Sequence, residues 1–89
     1  MDILQEVKNR LSVTGDFHDN MLNGYIDDVK YFMLGSGVKE SVVESKKAVG
    51  CIAKGVSDLW LDGKFSETFQ QRLIQLTFEV EDVQTEESV

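Results

Sequence analysis

Ser12-Val-Thr-Gly-Asp-Phe-His-Asp-Asn-Met-Leu-Asn-Gly-Tyr-Ile-Asp-Asp-Val-Lys-Tyr-Phe-Met-Leu-Gly35 reads as a compact turn followed by one strongly amphipathic helix. Leu22, Tyr25, Ile26, Val29, Phe32 and Met33 recur at offsets of zero, three, four, seven, ten and eleven, the spacing that lines one face of a 3.6-residue period. A face this regular must pack against another. Val49, Ile52, Ala53, Val56, Leu59 and Trp60 repeat the same offsets further along the chain. Two long helices with matching apolar faces predict an all-α fold, with Leu22, Ile26, Val29, Ile52, Val56, Trp60, Phe69 and Leu73 in its core.

The flanking residues mark where each helix starts and stops. Asp2 is placed to cap a first helix whose Leu4, Val7 and Leu11 share a face, running to about Ser12. Asp16 with Asp19 three residues later resembles a capping box for the second helix, which would put Phe17 in its first turn and its end at Leu34, before Gly35-Ser36-Gly37. Ser41 to Glu44 has capping-box spacing and opens a third helix that ends at Gly63, unless a short separate turn stands over Val38 to Val43. Ser66 starts a closing helix that carries Phe69, Leu73 and Leu76 on one side. The expected architecture is a small four-helix bundle, five with the short extra turn. Phe78-Glu79-Val80-Glu81 alternates apolar and acidic residues, so a short strand or an extended arm is expected there.

Eighty-nine residues suit one core. The expected division is a helical domain over residues 1–78 and an acidic arm over residues 79–89. No apolar run approaches the roughly 18 residues that span a bilayer, the first residues lack the basic start of a signal peptide, and the chain has a single cysteine. A chain without membrane contact and of cytoplasmic origin is expected. Its net charge of −7 is unevenly spread: residues 1–78 hold eleven acids and nine bases, and residues 79–89 hold five acids and no base. Tight binding to duplex DNA depends on Lys and Arg neutralising phosphates, which argues against an independent DNA binder.

No residue pattern points to catalysis, a cofactor or a metal. His18 stands beside Asp16 and Asp19, but the segment lacks the alternating acids and terminal Glu of a calcium loop, and capping explains the acids better. Cys51 falls off the apolar stripe, near Lys47, Lys54 and Asp58, with no histidine nearby in sequence. Gly50 and Gly55 sit inside a helix, where each costs up to about 1 kcal/mol relative to Ala; either another backbone approaches closely or the weak helix is tolerated. Tyr31 lies opposite the Leu22/Val29 stripe and is a solvated aromatic or a subunit contact. Ile74 and Phe78, four apart and away from Phe69 and Leu73, mean that the closing helix is buried on two sides or carries a partner surface. The candidate interface is therefore Tyr31, Ile74, Phe78, Val80 and Glu81.

The order and spacing of these elements resemble the small head–tail connector (adaptor, head completion or DNA packaging) proteins of long-tailed bacteriophages and prophages. The resemblance is carried by the opening Ile3-Leu4-Gln5-Glu6-Val7-Lys8-Asn9-Arg10-Leu11, the Gly15-Asp16-Phe17-His18-Asp19 turn and the helix ending Tyr31-Phe32-Met33-Leu34-Gly35. The apolar helix Ala48 to Trp60 and the segment Phe65-Ser66-Glu67-Thr68-Phe69-Gln70-Gln71-Arg72-Leu73 continue it, so that it covers about residues 2–78. It implies a structural virion protein at the head–tail junction, assembled in the host cytoplasm. By that resemblance the chain forms a homo-oligomeric ring, a dodecamer, between the portal protein and a tail-side head completion protein. Genome DNA would pass through the lumen without sequence-specific binding. The C-terminal segment tends to extend toward the portal in this family, and here it is unusually acidic. A small regulatory DNA- or protein-binding helical module is the alternative.

Overall fold

The computed structural model describes residues 2–79. Five α-helices follow one another: α1 (Ile3–Leu11), α2 (Asp19–Gly35), α3 (Glu40–Val43), α4 (Val49–Leu61) and α5 (Glu67–Leu76), with a 3-10 turn over Lys46–Ala48 leading into α4. Among the described residues there is no strand. The all-α bundle is thus the observed fold, with four longer helices and one short one.

Local chemistry accounts for the boundaries. The Asp2 carboxylate accepts from the Gln5 amide at 3.4 Å and the Ser66 hydroxyl accepts from the Phe69 amide at 3.2 Å, so both caps sit where the sequence places them. Gly37 (φ 104°) and Gly63 (φ 75°) lie just past α2 and α4, in the left-handed region that favours glycine. Instead of one long third helix, α3 stops at Val43 and the chain restarts: the Ser45 hydroxyl accepts from the Lys47 amide at 3.2 Å and caps a new turn. The separate turn is the observed arrangement.

The start of α2 differs from expectation. The helix begins at Asp19, its cap residue is His18, and no side chain caps it. Phe17 therefore lies ahead of the first turn and is 89% exposed. The reason is a competing charge: Asp19 pairs with Lys8 Nζ at 2.8 Å instead of serving a capping box. That lysine is itself almost buried and also donates to the Gly15 carbonyl, so α1 holds the turn that leads into α2.

Helix α4 is the centre of the molecule, packed against α1, α2 and α5. Its buried residues are Val49, Cys51, Ile52, Ala53, Gly55, Val56 and Asp58, which together go well beyond one stripe. Cys51, expected off the apolar face, is 4% exposed and belongs to the core. A helix with neighbours on several sides buries residues that a one-face model leaves in water. Leu22, Ile26, Val29, Ile52, Val56, Phe69 and Leu73 are buried as expected, and Trp60 packs half-buried against the same core.

The two internal glycines divide. A Cβ on Gly55 would come within 2.7 Å of Phe69 Cε1 and 3.0 Å of both Val29 methyls, so what crowds this glycine is side chains of α5 and α2 and not the backbone that was expected as one alternative. A Cβ on Gly50 would meet only Arg72 Nη1, at an ordinary 3.7 Å.

Candidate functional site

The reactive side chains are spent on structure. Asp58 is 3% exposed; one carboxylate oxygen accepts from the Ser66 amide at 2.9 Å and from its hydroxyl at 2.7 Å, and the other faces Lys54 Nζ at 3.1 Å. Burial pushes this carboxyl up, but the Ser66 hydrogen bonds and the Lys54 ammonium outweigh it and hold it below its ordinary range. Since Ser66 also caps α5, Asp58 fixes the corner between α4 and α5. Cys51 is pushed up to about 11, first by burial and against the opposing pull of Arg72, so its thiol stays protonated near neutral pH. His18 stacks edge-on between Phe17 and Trp60, with ring centroids 4.8 and 5.0 Å away. Among the described residues no group of three or more His, Cys, Asp or Glu is placed to hold a metal ion, and no helix is long and apolar enough to cross a membrane.

The bundle leaves apolar side chains outward along α2, at Met21, Tyr31, Phe32 and Leu34, and at both ends of α4. Asp58 meets Ser66, Gly55 meets Phe69, and Gly50 meets Arg72, so α5 runs antiparallel to α4. Trp60 meets His18 and Gly55 meets Val29, so α2 does as well. It follows that Phe17 and Leu61 (71% exposed) lie at the C-terminal end of α4, while Ile74 (56%) and Phe78 (80%) lie toward its N-terminal end. Large apolar side chains left in water at separate places are the raw material of subunit contacts.

Tyr31 is 74% exposed on α2, in a depression it shares with Leu34, Asp27, Lys30, Glu40 and Glu44. Beside it the Lys30–Glu44 pair, 3.3 Å long, ties α2 to the residue after α3. Ile74 and Phe78 are both outward, but they do not form one helix face: α5 ends at Leu76, and the Phe78 amide closes a turn onto the Gln75 carbonyl at 3.1 Å. The structure does not bring Tyr31 together with Ile74 or Phe78. Val80 and Glu81 lie outside the described residues; of the strand or arm expected over Phe78 to Glu81, the described Phe78 and Glu79 instead continue the turn after α5, the Glu79 amide donating to the Leu76 carbonyl at 3.1 Å.

Phe17 and Leu61 escaped the sequence reading. Phe17 was expected inside a helical turn, and Leu61 is the residue after the last member of the stripe, Trp60. That position outside the offset set was the available signal. A second omission is a cluster of cations, Arg10, Lys54 and Arg72, that three separate helices bring round one depression.

A family model described as "Phage gp6-like head-tail connector protein" matches residues 1–85. Comparison with curated proteins and with solved structures gave no match.

Proposed function

As the chain belongs to the phage gp6-like head-tail connector protein family and is a structural component of the phage head–tail junction, we propose that it works there as the repeating subunit of a closed homo-oligomeric ring, a dodecamer. The ring joins the portal on one side to the tail-side head completion protein on the other, and its lumen is part of the channel that the genome passes through. Assembly places it in the virion after synthesis in the host cytoplasm.

The observation that carries this reading is the pair of exposed apolar ends. A cyclic ring is built head to tail, so each subunit needs two different surfaces that fit one another, whereas a two-fold dimer needs one. Phe17 and Leu61 at one end of α4, and Ile74 and Phe78 toward the other, supply two such surfaces. Tyr31 adds rigid contact area on a third side, and Val80 and Glu81 are assigned as further contacts to a neighbour or the portal. The near balance of acids and bases over residues 1–78 suits a channel wall, because phosphate is not held there by a dense array of lysines.

The test is assembly with the cognate portal, read by native mass spectrometry and negative-stain imaging. The parent chain is expected to give a ring on the portal. The double variant I74S/F78S is expected to keep the parent's thermal melting and lose the ring, and Y31S to weaken it. Ring formation by I74S/F78S at the parent's yield would remove these side chains from the interface.

A further inference from the structure

Helices α1 and α5 stand on either side of α4 and leave a groove over its outer surface. Gly50, Ala53 and Ser57 form its floor, and Arg10, Lys54 and Arg72 stand round an open depression of about 380 Å³. At Gly50 and Arg72 it adjoins a second open depression of about 390 Å³ that runs past Cys51 and Leu76 to Lys47 and Glu79. Lys54 is held by Asp58 and Lys47 by Glu79, at 3.1 and 3.0 Å. Arg10 and Arg72 have no carboxylate within ion-pair distance among the described residues. In a chain of net charge −7, a groove with two guanidinium groups that no described carboxylate pairs stands apart.

The groove opens where the described chain ends. Glu79 lines it and is already tied to it by Lys47, and the residues that follow carry Glu81, Asp82, Glu86 and Glu87 without a single base. Lys47 to Ser57 spans about 15 Å of helix at roughly 1.5 Å per residue. An extended chain covers that in about five residues at roughly 3.3 Å each. The segment is therefore long enough to run the length of the groove, and its sign of charge fits.

We propose that in the free subunit residues 80–89 dock into their own subunit's groove, with Glu81 and Asp82 at Arg72 and the later acids at Arg10. Planar guanidinium groups take carboxylates through paired hydrogen bonds, which favours Arg over Lys for this contact. Docked in this way, the acidic segment would neutralise the two arginines of the groove. This concerns the dilute subunit and holds or fails independently of the ring.

The experiment compares amide spectra of three full-length, isotope-labelled chains at low salt: the parent, the tail variant E81Q/D82N/E86Q/E87Q, and the groove variant R10Q/R72Q. All substituted side chains lie in the tail or are exposed on the bundle, so the fold is retained. The tail variant is expected to shift the amides of Gly50, Ala53 and Ser57, the groove variant to shift residues 81–87 reciprocally, and dilution to change neither. Salt at about 1 M, where the Debye length is roughly 3 Å, is expected to move the parent's groove signals toward those of the tail variant. Groove amides that stay in place in the tail variant would overturn the proposal. Groove shifts that vanish on dilution would overturn it too, since the occupant would then be a second copy's tail.

Discussion

Gly55 and Gly50 are five residues apart on the same helix and face different worlds. Gly55 looks into the seam where α2 and α5 close over α4, and the Phe69 ring and Val29 methyls occupy the space its side chain would need. Gly50 looks into the Arg72 groove, where a Cβ would meet one guanidinium nitrogen at van der Waals distance. One side of α4 is therefore core and the other is the floor of an open groove. The contrast shows how a central helix in a chain this short serves the core on one side and lines an open groove on the other. Burial demands the missing methyl at Gly55, whereas at Gly50 nothing in the packing requires it.

The closed side depends on Asp58, which joins α4 to the cap of α5, so its removal should have the largest effect. Asp58→Ala leaves the Ser66 amide and hydroxyl without their acceptor. It is expected to cost about 3 kcal/mol, the scale of hydrogen bonds to a charged group, read from urea unfolding monitored by circular dichroism. The pH dependence fixes the sign. A carboxyl held below its ordinary range in the folded state stabilises above the unfolded pKa of about 3.9, and that contribution is lost as pH falls through the folded value. The gap between parent and variant should therefore be fully developed at neutral pH and shrink in acid. A gap that stays constant down to the acid transition would mean that the charge is not what holds the corner.

Gly55→Ala comes next. The new methyl gains roughly 1 kcal/mol of helix propensity, but it must displace Phe69, a fully buried ring whose face is already stacked on Phe65 at 4.5 Å between centroids. Overpacking of a closed core costs about 1–3 kcal/mol, so the net result is a destabilisation of about 1 kcal/mol, seen as a lower denaturation midpoint with an unchanged slope. A neutral or stabilised variant would show that the α2–α4–α5 seam opens readily, and the contrast between the two glycines would disappear.

The sequence made the bundle legible where side chains follow the helical period, because burial on one face leaves a regular trace. Leu22, Ile26 and Val29 on α2, and Ile52 and Val56 on α4, are of this kind. Cys51 was misplaced because the stripe model assumes one buried face, and nothing in a local window says that α4 has three neighbours. The start of α2 was misplaced because Asp19 has two uses, capping or pairing with Lys8, and the choice depends on a residue eleven positions away. Tyr31, Ile74 and Phe78 were legible as apolar residues off their stripes, and their exposure follows from that. Arg10 and Arg72 belong to helices that are distant in sequence, so only the folded chain brings them to one groove.

Gly50→Ala should have the smallest effect and the opposite sign. Its Cβ would sit 3.7 Å from Arg72 Nη1, so no atom has to move, and the helix gains up to about 1 kcal/mol from the better former. Part of that gain arises in the unfolded chain, where alanine has fewer conformations to lose than glycine. A rise of about 0.5–1 kcal/mol is expected by the urea measurement, with the groove signals of Ala53 and Ser57 little changed. If Gly50→Ala proved as damaging as Gly55→Ala, the floor of the groove would have to be in tight contact with another part of the chain. A segment lying directly on Gly50 would produce that result, and it would then be expected to disappear when Gly50→Ala is made in the E81Q/D82N/E86Q/E87Q background.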